Sequence, residues 1–228
     1  MKLMPMLAAA FAANLAFLAA PLSASAKLVL ETATYTGVDT GEIIPQDGRF
    51  VGAAFTLGTT EQITGVGAQF GGFPSGTIFA AIVPLASQTS LPSFLPSDIS
   101  ANAIADVVFS VPQQGPEGGP IDYSVPLSIT LPAGSYAVVF GSGAFGADGF
   151  AGLGEQNDTI GSPNWVSTLF DNTWSADSLD GVRITVTAAG AGAVPEPSTW
   201  AMFVLGFVGL GAAHRLRSGR RKIGLDLA

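Results

Sequence analysis

Asp148, Glu155, Asn157 and Asp158 crowd one short stretch of the chain, and Asp171 and Asn172 a second. They offer carboxylate and amide oxygens, the hard ligands that Ca²⁺ takes in sixes to eights. The spacing matches no EF-hand loop, and the same residue types initiate turns by bonding nearby backbone. The fifteen acidic residues between positions 27 and 194 also leave room for a carboxylate pair. Glycoside hydrolysis needs one protonated and one ionised carboxyl, about 5 to 10 Å apart. Trp165 and Trp174, with Phe145, Phe150 and Phe170, flank the same region. Exposed, these rings would stack on sugars; buried, they would fill a core.

Other chemistries lack their parts. The only histidine is His214 and there is no cysteine, so positions 27–194 offer no imidazole for a triad or zinc site and no thiol. The stretch contains no disulfide either. Gly141-Ser142-Gly143-Ala144-Phe145-Gly146 fits G-x-G-x-x-G after an expected strand. A dinucleotide fingerprint requires a helix next, to hold the pyrophosphate at its N-terminus. Ala147 to Gly154 is too rich in glycine to supply one. No cofactor is therefore expected beyond the calcium candidates.

The elements that must position these residues read as strands. Leu28–Thr36, Arg49–Leu57, Glu61–Phe70, Gly76–Leu85, Asp106–Val111, Tyr123–Leu131, Ser135–Phe140 and Gly181–Ala188 are rich in Val, Ile, Thr and Phe. Breaks at Asp47-Gly48, Gly71-Gly72, Pro132-Ala133-Gly134 and Asp180-Gly181 separate them. The expectation is an all-β fold, a single antiparallel β-sandwich of jelly-roll type over residues 27–188. Pro92, Pro96 and Ser97-Asp98 mark a longer excursion, with a helical turn starting after Ser97 or Asp98. Ala147 to Gly154 reads as a loop.

Charge partitions the chain. Positions 27–194 hold only Lys27, Arg49 and Arg183 against the fifteen acids, a net −12, while the whole chain carries −8. Such a surface cannot neutralise phosphates, so nucleic acid and anionic lipid are excluded as partners of this stretch. The remaining basic residues sit at the ends. Lys2, the apolar run Leu7–Ala20 and the small-x-small site Ala24-Ser25-Ala26 make residues 1–26 a secretory signal peptide, handled by Sec and signal peptidase. Residues 189–194 form a short linker.

The far end reads Pro195-Glu196-Pro197, then an uncharged run, then Arg215, Arg217, Arg220, Arg221 and Lys222. The fourteen residues Trp200 to Ala213 are apolar or Gly and would span about 21 Å as a helix. That is short of a hydrocarbon core of roughly 30 Å. Trp200 as an interfacial aromatic and snorkelling arginines extend its reach, giving a transmembrane helix over about 199–214 with the basic cluster 215–222 cytoplasmic. Residues 195–222 resemble the PEP-CTERM sorting signal of exported proteins from exopolysaccharide-producing diderm bacteria. That resemblance implies retention in the inner membrane with the passenger in the periplasm. Exosortase, a membrane-embedded cysteine transpeptidase, then cuts near Pro-Glu-Pro and delivers the passenger to the cell surface or matrix.

Two functional classes follow. One is a noncatalytic surface or matrix protein associated with exopolysaccharide, biofilm or floc. The alternative is a secreted carbohydrate-binding module or carboxylate-dependent glycoside hydrolase. The lack of histidine and cysteine over positions 27–194 favours the first.

Overall fold

A computed structural model describes residues 26–37, 42–43, 49–113, 120–168 and 172–190, all within the unit Ala26–Gly190. The signal-peptide residues 1–25, Asp171, Phe170, the sorting tripeptide, the expected membrane helix and the basic cluster lie outside the described residues.

Within that unit the chain is all-β, in antiparallel sheets. One six-stranded sheet is built on β5 (Glu61–Ser75). Along one edge β5 pairs with β8 (Ile121–Leu131). Along the other it pairs first with β14 (Ile184–Ala188) and then with β10 (Phe150–Gly154). The partner changes at Gln69, between Ala68, opposite Ile184, and Phe70, opposite Leu153. Strand β1 (Lys27–Glu31) extends the sheet beyond β14, and β3 (Glu42–Ile43) beyond β10. The second six-stranded sheet runs β13 (Trp174–Ser175), β12 (Trp165–Thr168), β4 (Val51–Leu57), β9 (Gly134–Gly141), β6 (Ile78–Leu85), β7 (Ala105–Phe109). A two-stranded ladder joins β2 (Ala33–Thr34) to β11 (Asp158–Thr159).

The inward faces of the two large sheets share one hydrophobic cluster, an arrangement compatible with a sandwich. Val51, Ala53, Phe55 and Leu57 of β4, Ile78, Ala80 and Ile82 of β6, and Tyr136, Val138 and Phe140 of β9 meet Ile63, Val66, Ala68 and Phe70 of β5. The intervening residues of the second sheet are buried too. Phe79, Ala81, Val83, Ala137 and Val139 form a second cluster with Phe50 and Val166, covered by Leu91, Phe94, Ile99, Phe145 and Trp174. The excursion around Pro92 and Pro96 is thus a third layer over the outer face of that sheet. Strands covered on both faces lose polar alternation, which is why β4, β6 and β9 read as continuous apolar runs. Strand β8, with one face solvated, keeps its alternation, with Asp122, Ser124, Ser128 and Thr130 outward.

The helical turn falls where its cap residues predict: a 3₁₀ turn Pro96–Asp98 leads into α1 (Ile99–Asn102), with Asp98 at the N-cap position. The Asp98 side chain makes no cap hydrogen bond; instead Asn102 Nδ2 donates to the Asp98 carbonyl at 2.8 Å. Buried Ile99 anchors the turn to the second cluster.

Two expectations are corrected. Gly71-Gly72 does not end its strand, because β10 pairs there, Gly152 opposite Gly71, and carries β5 on to Ser75. The reversal comes at Gly76, whose φ of +64° suits glycine. Likewise the glycine-rich stretch expected as a loop contains strand β10. Its glycines lower strand propensity but permit close approach: a Cβ on Gly154 would lie 2.8 Å from the Gln69 side-chain oxygen.

Candidate functional site

The described calcium candidates, Asp148, Glu155, Asn157 and Asp158, are not brought together as a carboxylate cluster. Among the described residues no group of three His, Cys, Asp or Glu side chains is placed to hold a metal. Asp148 is exposed and accepts a hydrogen bond from Thr77 Oγ1 at 3.2 Å, beside the β5–β6 turn. Asp158 is exposed on β11, and Glu155 is half-buried. Asn157 is 7 % exposed and uses both ends of its amide internally. Its Nδ2 donates to Gln69 Oε1 and, at 2.9 Å, to the Gly181 carbonyl, while Oδ1 accepts from Thr36 N at 3.1 Å. This amide closes the gap that opens where β5 changes partner. Asn172, at φ 56°, does similar work elsewhere: Oδ1 accepts from Ser97 N at 2.9 Å and Nδ2 donates to Ser97 Oγ at 3.2 Å, fastening the outer layer.

The aromatic residues divide between packing and surface. Trp165 is 5 % exposed and belongs to the central cluster. Trp174 is half-buried, donates from Nε1 to the Phe94 carbonyl at 2.7 Å, and meets the Phe94 ring edge-on at 6.0 Å. Phe145 packs edge-on against Phe79 at 5.0 Å. Phe150 remains 40 % exposed. The G-x-G-x-x-G stretch is a tight turn, with Gly143, Phe145 and Gly146 at positive φ, and it leads into β10. Among the described residues the one α-helix is α1, so this turn lacks the helix that dinucleotide binding requires.

Two carboxylates that do converge meet on a cation. Arg183, its side chain 11 % exposed, takes Asp122 in a two-pronged contact, Nε to Oδ1 and Nη2 to Oδ2, both 3.1 Å. Its Nη1 donates to Glu31 Oε1 and to the Ala33 carbonyl. Burial opposes the guanidinium charge, but the hydrogen bonds and charges of Asp122 and Glu31 outweigh it and raise its pKa. The cluster ties β1, β2, β8 and the start of β14 together. In sequence these three residues registered only as charges, since nothing local couples positions 31, 122 and 183.

A feature with no sequence signature is an open cleft of about 440 Å³. Its walls are the Gln88–Ser90 turn, the Gly161–Val166 segment and the stretch from Ala176 to Asp180. The Gln88–Ser90 turn, remote in sequence, meets the two segments that flank the β12–β13 pair, so no motif could announce it.

Residues 193–217 match the family model of the PEP-CTERM protein-sorting motif. No curated protein and no solved structure matches the chain. The chain thus carries a signal for export, transient membrane anchoring and processing by exosortase.

Proposed function

We propose that this chain is a noncatalytic component of the cell surface or extracellular matrix, associated with exopolysaccharide in biofilm or floc. Signal peptidase removes residues 1–26, a helix over about 199–214 holds the precursor in the inner membrane, and exosortase acts near Pro195-Glu196-Pro197. The all-β unit then serves as a stable adhesive or spacer. The observation that carries this proposal is the sorting motif at 193–217. The noncatalytic part is supported by the residue inventory: positions 27–194 contain neither histidine nor cysteine to activate a nucleophile. The converging carboxylates Glu31 and Asp122 are also already accepting from one guanidinium.

The test is fractionation of the producing cells with and without their exosortase. The processed protein should appear in the surface or matrix fraction of the first and accumulate in the membrane of the second. Incubation with the host's polysaccharide should release no reducing ends. Turnover abolished by one Asp or Glu substitution in a folded protein would establish the glycoside-hydrolase alternative instead.

A further inference from the structure

We infer that the cleft between the Gln88–Ser90 turn, the Gly161–Val166 segment and the Ala176–Asp180 stretch binds a neutral, polyhydroxylated ligand: a short length of uncharged glycan. The inference rests on the matrix reading above for the source of the ligand, and adds to it the place and chemistry of recognition.

Its volume of about 440 Å³ falls in the range of small-ligand sites, about 300 to 1,000 Å³. The side chains of Gln88, Ser162, Asn164, Ser178 and Asp180 line it, and none makes a hydrogen bond to another described residue. Amides and hydroxyls both donate and accept, which matches the alternating demands of sugar hydroxyls. Among the described residues no Lys or Arg lines the cleft and the one charge there is the Asp180 carboxylate, so an anionic ligand would meet repulsion without a compensating cation.

Trp165 supplies the second observation. It lines the cleft while 95 % buried, being 5 % exposed, and among the described residues its indole N–H has no hydrogen-bond partner, whereas Trp174 donates to Phe94. A buried donor without an acceptor is costly, and a polyhydroxylated ligand carries acceptors of the kind it lacks. The walls are also held in place before any ligand arrives. Ser90 N donates to the Ser87 carbonyl at 3.1 Å, Ala54 N to the Asn164 carbonyl at 2.8 Å, and Val182 N to the Leu179 carbonyl at 3.1 Å. Such preorganisation lowers the ordering cost of binding.

The experiment titrates the full chain, solubilised in a detergent without a sugar headgroup, with neutral gluco-, manno- and galacto-oligosaccharides and with oligogalacturonate as the acidic arm. Tryptophan emission and calorimetry are the readouts. The expected result is saturable binding of at least one neutral series and none of the acidic one. Asn164→Ala combined with Ser178→Ala should weaken it about tenfold or more. Trp165→Phe should remove the emission change. Ser128→Ala, on the outward face of β8, should leave binding unchanged and controls for the substitution procedure. Absence of saturable binding to every neutral series would overturn the inference, as would binding that the Asn164/Ser178 variant retains in full while its melting curve matches wild type. Either result leaves the matrix reading standing, because cell fractionation decides that separately.

Discussion

Lys27 lies directly across the β1–β14 ladder from Ala188. The residue after the small-x-small site and the last residue of the last described strand therefore face each other at one end of two adjacent strands. Trimming outside this pair removes none of the described strands, so processing at both ends is compatible with the fold of residues 27–188.

The mature protein is accordingly expected to begin at Lys27 and to end near Pro195-Glu196-Pro197. Intact-mass analysis of surface or extracellular material checks this. Recovery of only the full-length chain, with Met1 and Ala228 present, would defeat it. Replacing Glu196 and both flanking prolines by alanine should shift the protein to a longer, membrane-retained form.

Residues 27–190 should fold without disulfide or metal, since two hydrophobic clusters supply the core. Circular dichroism after chelation should stay strand-dominated, and added Ca²⁺ should leave the melting temperature unchanged. A calcium-dependent rise of several degrees would return Asp148, Glu155, Asp158 and Asp171 to consideration as ligands.

Arg183→Ala leaves Glu31, Asp122 and the Ala33 carbonyl without their shared donor. Breaking a buried ion pair costs about 3 to 5 kcal/mol. The low end is expected, because the Asp122 side chain is 37 % exposed and water can partly replace its partner. Urea unfolding measures the loss. A change below about 1 kcal/mol would mean that this cluster acts as an ordinary surface pair.

Asn157→Ala should cost about 1 to 3 kcal/mol, because the Gly181 carbonyl and the Gln69 side chain lose a buried donor. Gly181→Ala should be at least as damaging. Its φ is +83°, and a Cβ there would collide with the Glu155 carbonyl. Thermal melts of both variants against Asp158→Ala, an exposed neighbour, provide the comparison; equal behaviour of all three would contradict the assignment.

The hydrogen bond from Lys27 at 2.7 Å holds the Glu61 carboxyl below its ordinary 4.5, against an opposing desolvation and with help from the Thr59 hydroxyl. A carboxylate whose folded pKa is depressed contributes stability above its unfolded pKa and loses it as pH falls through the folded value. Wild type should therefore exceed Glu61→Gln slightly at neutral pH, and the two melting curves should converge below 4.5. A gap that persists undiminished in acid would show that the effect of the substitution is not ionic.

By itself the sequence determined what depends on local order and on inventory. The PEP-CTERM tail is legible because a sorting signal is read along the chain. The all-β class is legible because Val, Ile, Thr and Phe recur in short runs between turn residues. The lack of histidine and cysteine over positions 27–194 needs no coordinates at all. Tertiary structure decided whatever depends on pairing across long separations. Glycines 152 and 154 argue locally for a loop, yet β5 recruits them into β10 because its edge beyond Gln69 needs a partner and small residues can approach it. Asn157 has the composition of a ligand or turn residue, and only the convergence of positions 36, 69 and 181 turns its amide into a brace. The cleft beside Trp165 exists because the distant Gln88–Ser90 turn meets the segments that flank the β12–β13 pair. Propensity acts over a few neighbouring residues; register and loop convergence are set by long-range hydrogen bonding and burial, which no local window contains.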